Sequence, residues 1–310
     1  MRYLISQQTN FLSKFRLVSF YCAMGFILIA CVSISSKGLN LALDFTGGYL
    51  TEFSTEKPVS QDYMQQLLSS YLPNSFQLTS ADNGTYWSVR QPDTESSYKG
   101  KHWLVDFAQQ NHLIITPQDA MYIGSQVGEE LINQGGLALL TALIVILLYL
   151  SLRFEWRLAA GSVVALIHDV IIVLGIFSCF DIPFDLTIVA SLLAIIGYSL
   201  NDSIIVGDKI REIMTSRAYL NQDNGIDSII NLAIKSTLVR TLITSGTTLA
   251  TITAIWLFAG ESLTGFSIAF FTGVFVGTLS SIAISATLPQ MLGLNADFYL
   301  KQQEDICQLP

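Results

Sequence analysis

Six runs of about twenty apolar residues, near 17–36, 135–152, 158–179, 186–207, 237–258 and 266–291, dominate this chain. A helix needs about that length to cross roughly 30 Å of hydrocarbon at ~1.5 Å per residue. Inside lipid the backbone must satisfy its own hydrogen bonds, so each run is expected to be a transmembrane helix. Composition agrees: 51% of the 310 residues are hydrophobic and only 13% are charged, against about 25% charged in soluble domains. A net charge of −8 offers no basic face for nucleic acid, which excludes that partner class.

Lysine and arginine set the orientation. Arg2, Lys14 and Arg16 precede the first run, Arg153 and Arg157 follow the second, and Lys209, Arg211, Arg217 and Lys235 lie between the fourth and fifth. The short connections 180–185 and 260–264 have none, so both termini are expected in the cytoplasm. The layout is then a cytoplasmic N-terminus (1–16), a first helix (17–36), an exterior domain (37–133), helices two to six (134–291) with a cytoplasmic loop at 208–236, and a cytoplasmic tail (292–310). The first run has the basic start and small residues (Ser33, Ser35) of a cleavable signal. It is longer than a usual signal core and the later charge alternation needs it retained, so the reading favours an uncleaved anchor.

The exterior segment reads as a small α+β domain. A strand at 49–55 follows Gly47 and Gly48, and Ser60 caps a helical spacing of Tyr63, Met64, Leu67, Leu68 and Tyr71. Two further strands are expected at 76–80 and 86–91, while 92–112 has no assignable pattern. Cys22, Cys31, Cys179 and Cys307 all lie outside this segment, and His102, His112 and His168 show no ligand spacing. Neither a disulfide framework nor a metal site is expected. In the loop 208–236, Ile226, Ile229, Ile230 and Ala233 line one face and Asp227, Asn231 and Lys235 the other. That pattern suits either a helix lying on the membrane surface or a hairpin packed on the protein.

Charges inside the spans are the functional candidates. Asp202 lies six residues, about 9 Å, from the flanking Asp208, and Arg240 lies five residues, about 7.5 Å, from Lys235. A charge at that depth costs about 2.5–3.5 kcal/mol on insertion scales, so it needs a partner, a proton or water. Ser199, Asp202 and Ser203, with Asn201 beside them, share one helix, and Arg240, Thr244, Thr247 and Thr251 form a polar stripe on the next. An Asp202–Arg240 ion pair lined by hydroxyls is expected, serving either as a proton-handling site or as static glue between helices. Asp169, next to His168 in the third span, is either a second relay acid or one held quietly by its neighbours. Gly273, Gly277, Ser281 and Ser285 repeat every four residues, a face that lets another helix approach closely. An enzyme is not expected: Ser199 lacks the following glycine of a nucleophile turn, no oxyanion hole is suggested, and Ile205 stands where an aspartyl intramembrane protease motif would have glycine.

Seven segments then point to one family: LDFTGG (43–48), IGSQVGEEL (123–131), RFEWR (153–157), FDLT (184–187), GYSLNDSIIVGDKIRE (197–212), RTLITSGTTL (240–249) and GFSIAFFTGVFVGTLSS (265–281). In this order, from first span to sixth, they resemble the SecF family of bacterial protein-export subunits. The resemblance implies pairing with SecD in a twelve-span assembly similar to resistance-nodulation-division transporters, beside the SecYEG channel and YajC. It also implies use of the proton-motive force to help unfolded exported polypeptides cross the inner membrane, with protons as coupling ion, no cofactor, and lipid as surroundings. The exterior domain would then be periplasmic and ferredoxin-like, begun by Asp44, Phe45, Thr46, Gly47 and Gly48. The family's proton-coupling aspartate and arginine fall on Asp202 and Arg240. Gly207, Lys209 and Gly246 depart from the family pattern and bear only on local packing. A structural assembly factor and a stand-alone exporter half are the alternatives.

Overall fold

The computed structural model describes residues 2–72, 76–92, 102–216, 225–260 and 263–294. All six apolar runs are helical: α1 (Arg2–Lys37), α5 (Ser125–Arg153), α6 (Trp156–Cys179), α7 (Leu186–Thr215), α8 (Ile226–Phe258) and α9 (Thr264–Ser280). Helices α6, α7 and α9 form the buried centre, with α1, α5 and α8 outside them. After α9 the chain widens into a π turn (Ser281–Ser285) before the short α10 (Leu288–Met291). Pro289 explains the break, because in a regular helix its ring collides with the carbonyl four residues back, here that of Ser285.

Helix extends further toward the fourth-to-fifth connection than hydropathy indicated. Helix α7 runs on to Thr215, and α8 begins at Ile226 and continues without interruption into the fifth span. No separate surface helix forms in the described part of 208–236. Ile229, Ile230, Ala233 and Ile234 instead join a core with Phe154, Leu158, Ile210, Ile213 and Met214, the packed alternative. Arg217 lies outside the described residues. Arg16, read from sequence only as a flanking charge, is buried. It donates to Asp227 Oδ1 at 2.6 Å, to Asn231 Oδ1 at 3.2 Å and to Gln290, tying α1 to α8 and α10.

Between α1 and α5 lies a ferredoxin-like unit: β1 (Gly48–Thr55), α3 (Gln61–Tyr71), β2 (Gln77–Ala81), β3 (Tyr86–Pro92), α4 (His102–Gln110) and β4 (Ile115–Ile123). The sheet order is β2-β3-β1-β4, antiparallel throughout, with Thr51 opposite Val89 and Leu50 opposite Met121. Thr51, Phe53 and Thr55 alternate inward along β1. Phe53, Trp87 and Val89 from the sheet meet Met64, Leu68, Trp103, Leu104 and Phe107 from α3 and α4.

Sequence patterning located β1, α3, β2 and β3 to within a residue or two and missed α4 and β4. Helix α4 has only nine residues, too short for periodicity to speak. Strand β4 is an edge strand largely exposed on both faces and contains Pro117, so it has no alternation to read. Sequence also missed α2 (Leu43–Thr46), a single turn ahead of Gly47 and Gly48, whose φ values of 69° and 142° only glycine adopts freely.

Candidate functional site

Ser199, Asp202 and Ser203 all point into the bundle from α7 and are at most 1% exposed. Neither carboxylate oxygen of Asp202 has a hydrogen-bond partner among the described residues, and the hydroxyls of Ser203 and Thr241 are unpartnered too. Helices α7 and α8 run antiparallel, since the Tyr198 hydroxyl donates to Ser245 at 3.1 Å while Ile210 and Ile213 share a core with Ile229 and Ile230 nearer the connection. One turn along from that bond, Asp202 falls level with Thr241. An unpartnered buried carboxylate is costly to keep charged and dry.

The expected Asp202–Arg240 ion pair is not made: no ion pair within 4.0 Å joins the two among the described residues. The reason is helical geometry. The face that α8 buries carries Thr237, Thr241, Ser245 and Ile252, and Arg240 sits about 100° around from Thr241. Arg240, Thr247 and Thr251 are therefore exposed and Thr244 partly so. The threonine hydroxyls turn back to their own helix, with Thr244 donating to the Arg240 carbonyl at 3.0 Å and Thr247 to that of Ile243 at 3.0 Å. Asn201 is also exposed.

Asp169 is fully buried in α6 and, unlike Asp202, is fully engaged. His168 Nδ1 lies 2.9 Å from its Oδ1, while Ser199 and Ser280 donate to its Oδ2 at 2.5 and 3.0 Å. One carboxylate thereby joins α6, α7 and α9. Gly277 makes the space for it, because a Cβ there would stand 3.2 Å from Asp169 Oδ2 and 3.2 Å from the Ser199 Cβ. Gly273 opposes Ile195 in the same way, so the small-residue face of α9 meets α7 of this same chain. Ser281 is buried and donates to the Thr278 carbonyl at 2.9 Å, inside the π turn. Sequence reasoning did not single out Tyr198, Ser245, Thr278 or Ser280. Ser245 and Thr278 lie 2.7 Å apart, which extends the bond from Tyr198 into a hydroxyl chain across three helices. A polar residue at mid-span was the only signal for each.

The motif at 43–48 is far from these acids but touches the same helix. Asp44 Oδ2 accepts from the Leu186 backbone N–H at 3.1 Å, at the start of α7. Phe45 stacks on Phe184 with ring centroids 5.8 Å apart, and the Thr46 hydroxyl bonds the Ala42 carbonyl at 3.3 Å. Among the described residues no group of three or more His, Cys, Asp or Glu side chains is placed to hold a metal.

Comparison with known proteins places this arrangement. The family model "Protein export membrane protein SecD/SecF, C-terminal" matches residues 107–295, and "SecD/SecF GG Motif" matches 32–59. The protein translocase subunit SecF of Escherichia coli O157:H7 is 42% identical over 90% of this chain and 87% of its own, and that of Vibrio alginolyticus is 39% identical over 92% and 90%. Among solved structures, SecDF from Thermus thermophilus, titled a translocon-associated membrane protein, superposes with a TM-score of 0.77 at 32% identity over 92% of this chain. SecDF in its super-membrane-facing form gives 0.67 at 31% identity. The chain spans 39% of the SecDF chains it matches. With the GG motif and the SecD/SecF C-terminal region following in order along a chain 42% identical to a curated relative, this multi-pass membrane protein belongs to the SecF family of protein translocase subunits.

Proposed function

We propose that this chain is the SecF-type half of a proton-driven assembly that helps unfolded polypeptides cross the bacterial inner membrane, with Asp202 as the group that takes up and releases the proton. The observation that carries the reading is the contrast between the two buried acids. Asp169 accepts hydrogen bonds from Ser199 and Ser280 and lies beside His168 Nδ1, whereas Asp202 has no partner among the described residues. Neutral Asp202 leaves Arg240 free to face outward. Ionised Asp202 draws the guanidinium inward, so each change of protonation gives α7 and α8 a reason to shift. A proton crossing the membrane field supplies about 2.3 kcal/mol per 100 mV, enough to bias a two-state element more than tenfold. Asp169 acts here as a positioning residue that holds Ser199, and with it α7, in register.

A SecD partner is supported by the outward stripe of Arg240, Thr247 and Thr251, with Asn201 on α7 exposed as well. Hydrocarbon is a poor cover for such a stripe, whereas a second six-span subunit with polar groups at the same depth suits it. In this reading both termini are cytoplasmic, the ferredoxin-like domain is periplasmic, and the assembly works beside SecYEG and YajC as a relative of resistance-nodulation-division transporters. The test is proton-dependent export in inner-membrane vesicles. Asp202→Asn is expected to lose about tenfold or more of the stimulation by the proton gradient. Stimulation equal to wild type would overturn the reading.

A further inference from the structure

The segment between α1 and β1 belongs by packing to the helical bundle. Phe45 is buried in one core with Phe177, Phe184, Ile188, Leu192 and Ile195, not with the aromatic core of the ferredoxin-like unit. Just before it, the chain pairs in parallel with the α6–α7 connection: the Phe184 N–H donates to the Asn40 carbonyl at 2.7 Å and the Ala42 N–H to the Phe184 carbonyl at 2.9 Å. Asp44 then takes the Leu186 N–H at 3.1 Å, one of the first-turn donors of α7 that have no partner within the helix, while Asp185 takes that of Ile188 at 3.1 Å. On the other side α5 presses directly on α2, since a Cβ on Gly128 would collide with the Phe45 carbonyl oxygen.

Beyond this clamp the chain has no slack. Gly47 and Gly48 make the turn out of α2, and Gly48 is already paired within the sheet, opposite Pro92 on one side and Ile123 on the other. The return connection is as short, because β4 ends at Ile123 and α5 begins at Ser125. A central strand is thus bolted to the first turn of α7, and about 24 Å further along that helix stands Asp202.

From this arrangement we infer that the segment 40–48 is a rigid joint through which α7 and the ferredoxin-like domain move as one body, with Asp44 as its positioning residue. The inference rests on the proposed function only in taking α7 as the helix that moves. It assigns the GG motif a mechanical role: an acceptor that seizes the end of α7, an aromatic plug, and two glycines that turn the chain straight into the sheet.

The test uses the full chain in lipid nanodiscs, with native cysteines replaced by serine and spin labels at Gln66→Cys on α3 and Ala190→Cys on the exposed face of α7. The joint predicts one narrow distance distribution. Asp44→Ala should broaden it into several populations, and Asp44→Asn, whose amide oxygen still accepts from Leu186, should restore the single peak. Hydrogen exchange separates this from general unfolding: in Asp44→Ala the Leu186 amide should exchange about fivefold faster, as expected for a cap worth about 1 kcal/mol, with Phe53 and Val89 unchanged. A distribution in Asp44→Ala as narrow as wild type, or an Asn variant as broad as the Ala variant, overturns the joint. Asp202→Asn should keep the narrow peak. With the second label placed instead at Phe180→Cys at the end of α6, outside that body, a wild-type peak that does not move with pH would reject proton-driven motion and leave the joint standing.

Discussion

At the scale of single residues, Asp169 and Asp202 predict opposite phenotypes. Replacing Asp169 with Ala strands the hydroxyl of Ser199 and Nδ1 of His168 in the core, while Ser280 keeps its bond to the Gly277 carbonyl at 3.1 Å. Each stranded group costs about 1–3 kcal/mol, so the variant should unfold earlier in denaturant titrations in detergent. Asp202→Asn breaks no hydrogen bond made in the described structure, so it should unfold like wild type while failing in proton-dependent export. Equal destabilisation of both variants would contradict this division of labour. Gly277→Ala should cost about 1–3 kcal/mol, because the new methyl meets Asp169 and Ser199 at 3.2 Å where neighbours on two helices must give way. In the ferredoxin-like unit, hydrogen bonding to Glu52, and then partial burial, pushes the Tyr86 hydroxyl up to about 12. Between about pH 10 and about pH 12 the unfolded chain therefore binds fewer protons than the folded one, and stability falls as pH rises through that window. Tyr86→Phe should remove that alkaline decline in thermal melts.

At the scale of elements, the glycines sort by what lies over them. Gly128 and Gly136 sit two turns apart on α5, yet a Cβ on the first strikes the backbone of α2 and a Cβ on the second meets nothing within 4 Å. Gly128→Ala should accordingly cost about 1–3 kcal/mol or displace α2, while Gly136→Ala should be neutral or mildly stabilising in thermal melts. Helix α8 carries the same lesson for polar groups. Its threonines were legible as one stripe, but which face the bundle would bury was not. The inward positions turned out to be Thr237, Thr241 and Ser245, and Arg240 was left pointing outward.

At the scale of the whole molecule, three helices form a centre and one polar flank remains open. That flank predicts an assembly: a photo-crosslinking residue at Thr247 should capture a second six-span subunit in membranes, whereas one at Leu140, on the exposed apolar face of α5, should react with lipid. Reaction of both positions with lipid alone would argue against a partner on this side. The ferredoxin-like domain, clamped at both of its connections, is the part of the molecule placed to report any motion of α7.

Sequence by itself determined the six spans, the position of the α+β insertion, four of its six main elements and the two acids worth examining. Those features follow from hydrophobic length, local periodicity and the cost of charge in hydrocarbon, which are properties of neighbouring residues along the chain. Tertiary structure decided what depends on residues far apart: that Asp169 is sated by Ser199 and Ser280 while Asp202 is not, that Arg240 faces outward and makes no ion pair with Asp202 among the described residues, and that Asp44 ends on the first turn of α7. A helix rotation of about 100° per residue separates a buried threonine from an exposed arginine next to it, and only the packing of whole helices against one another fixes that angle.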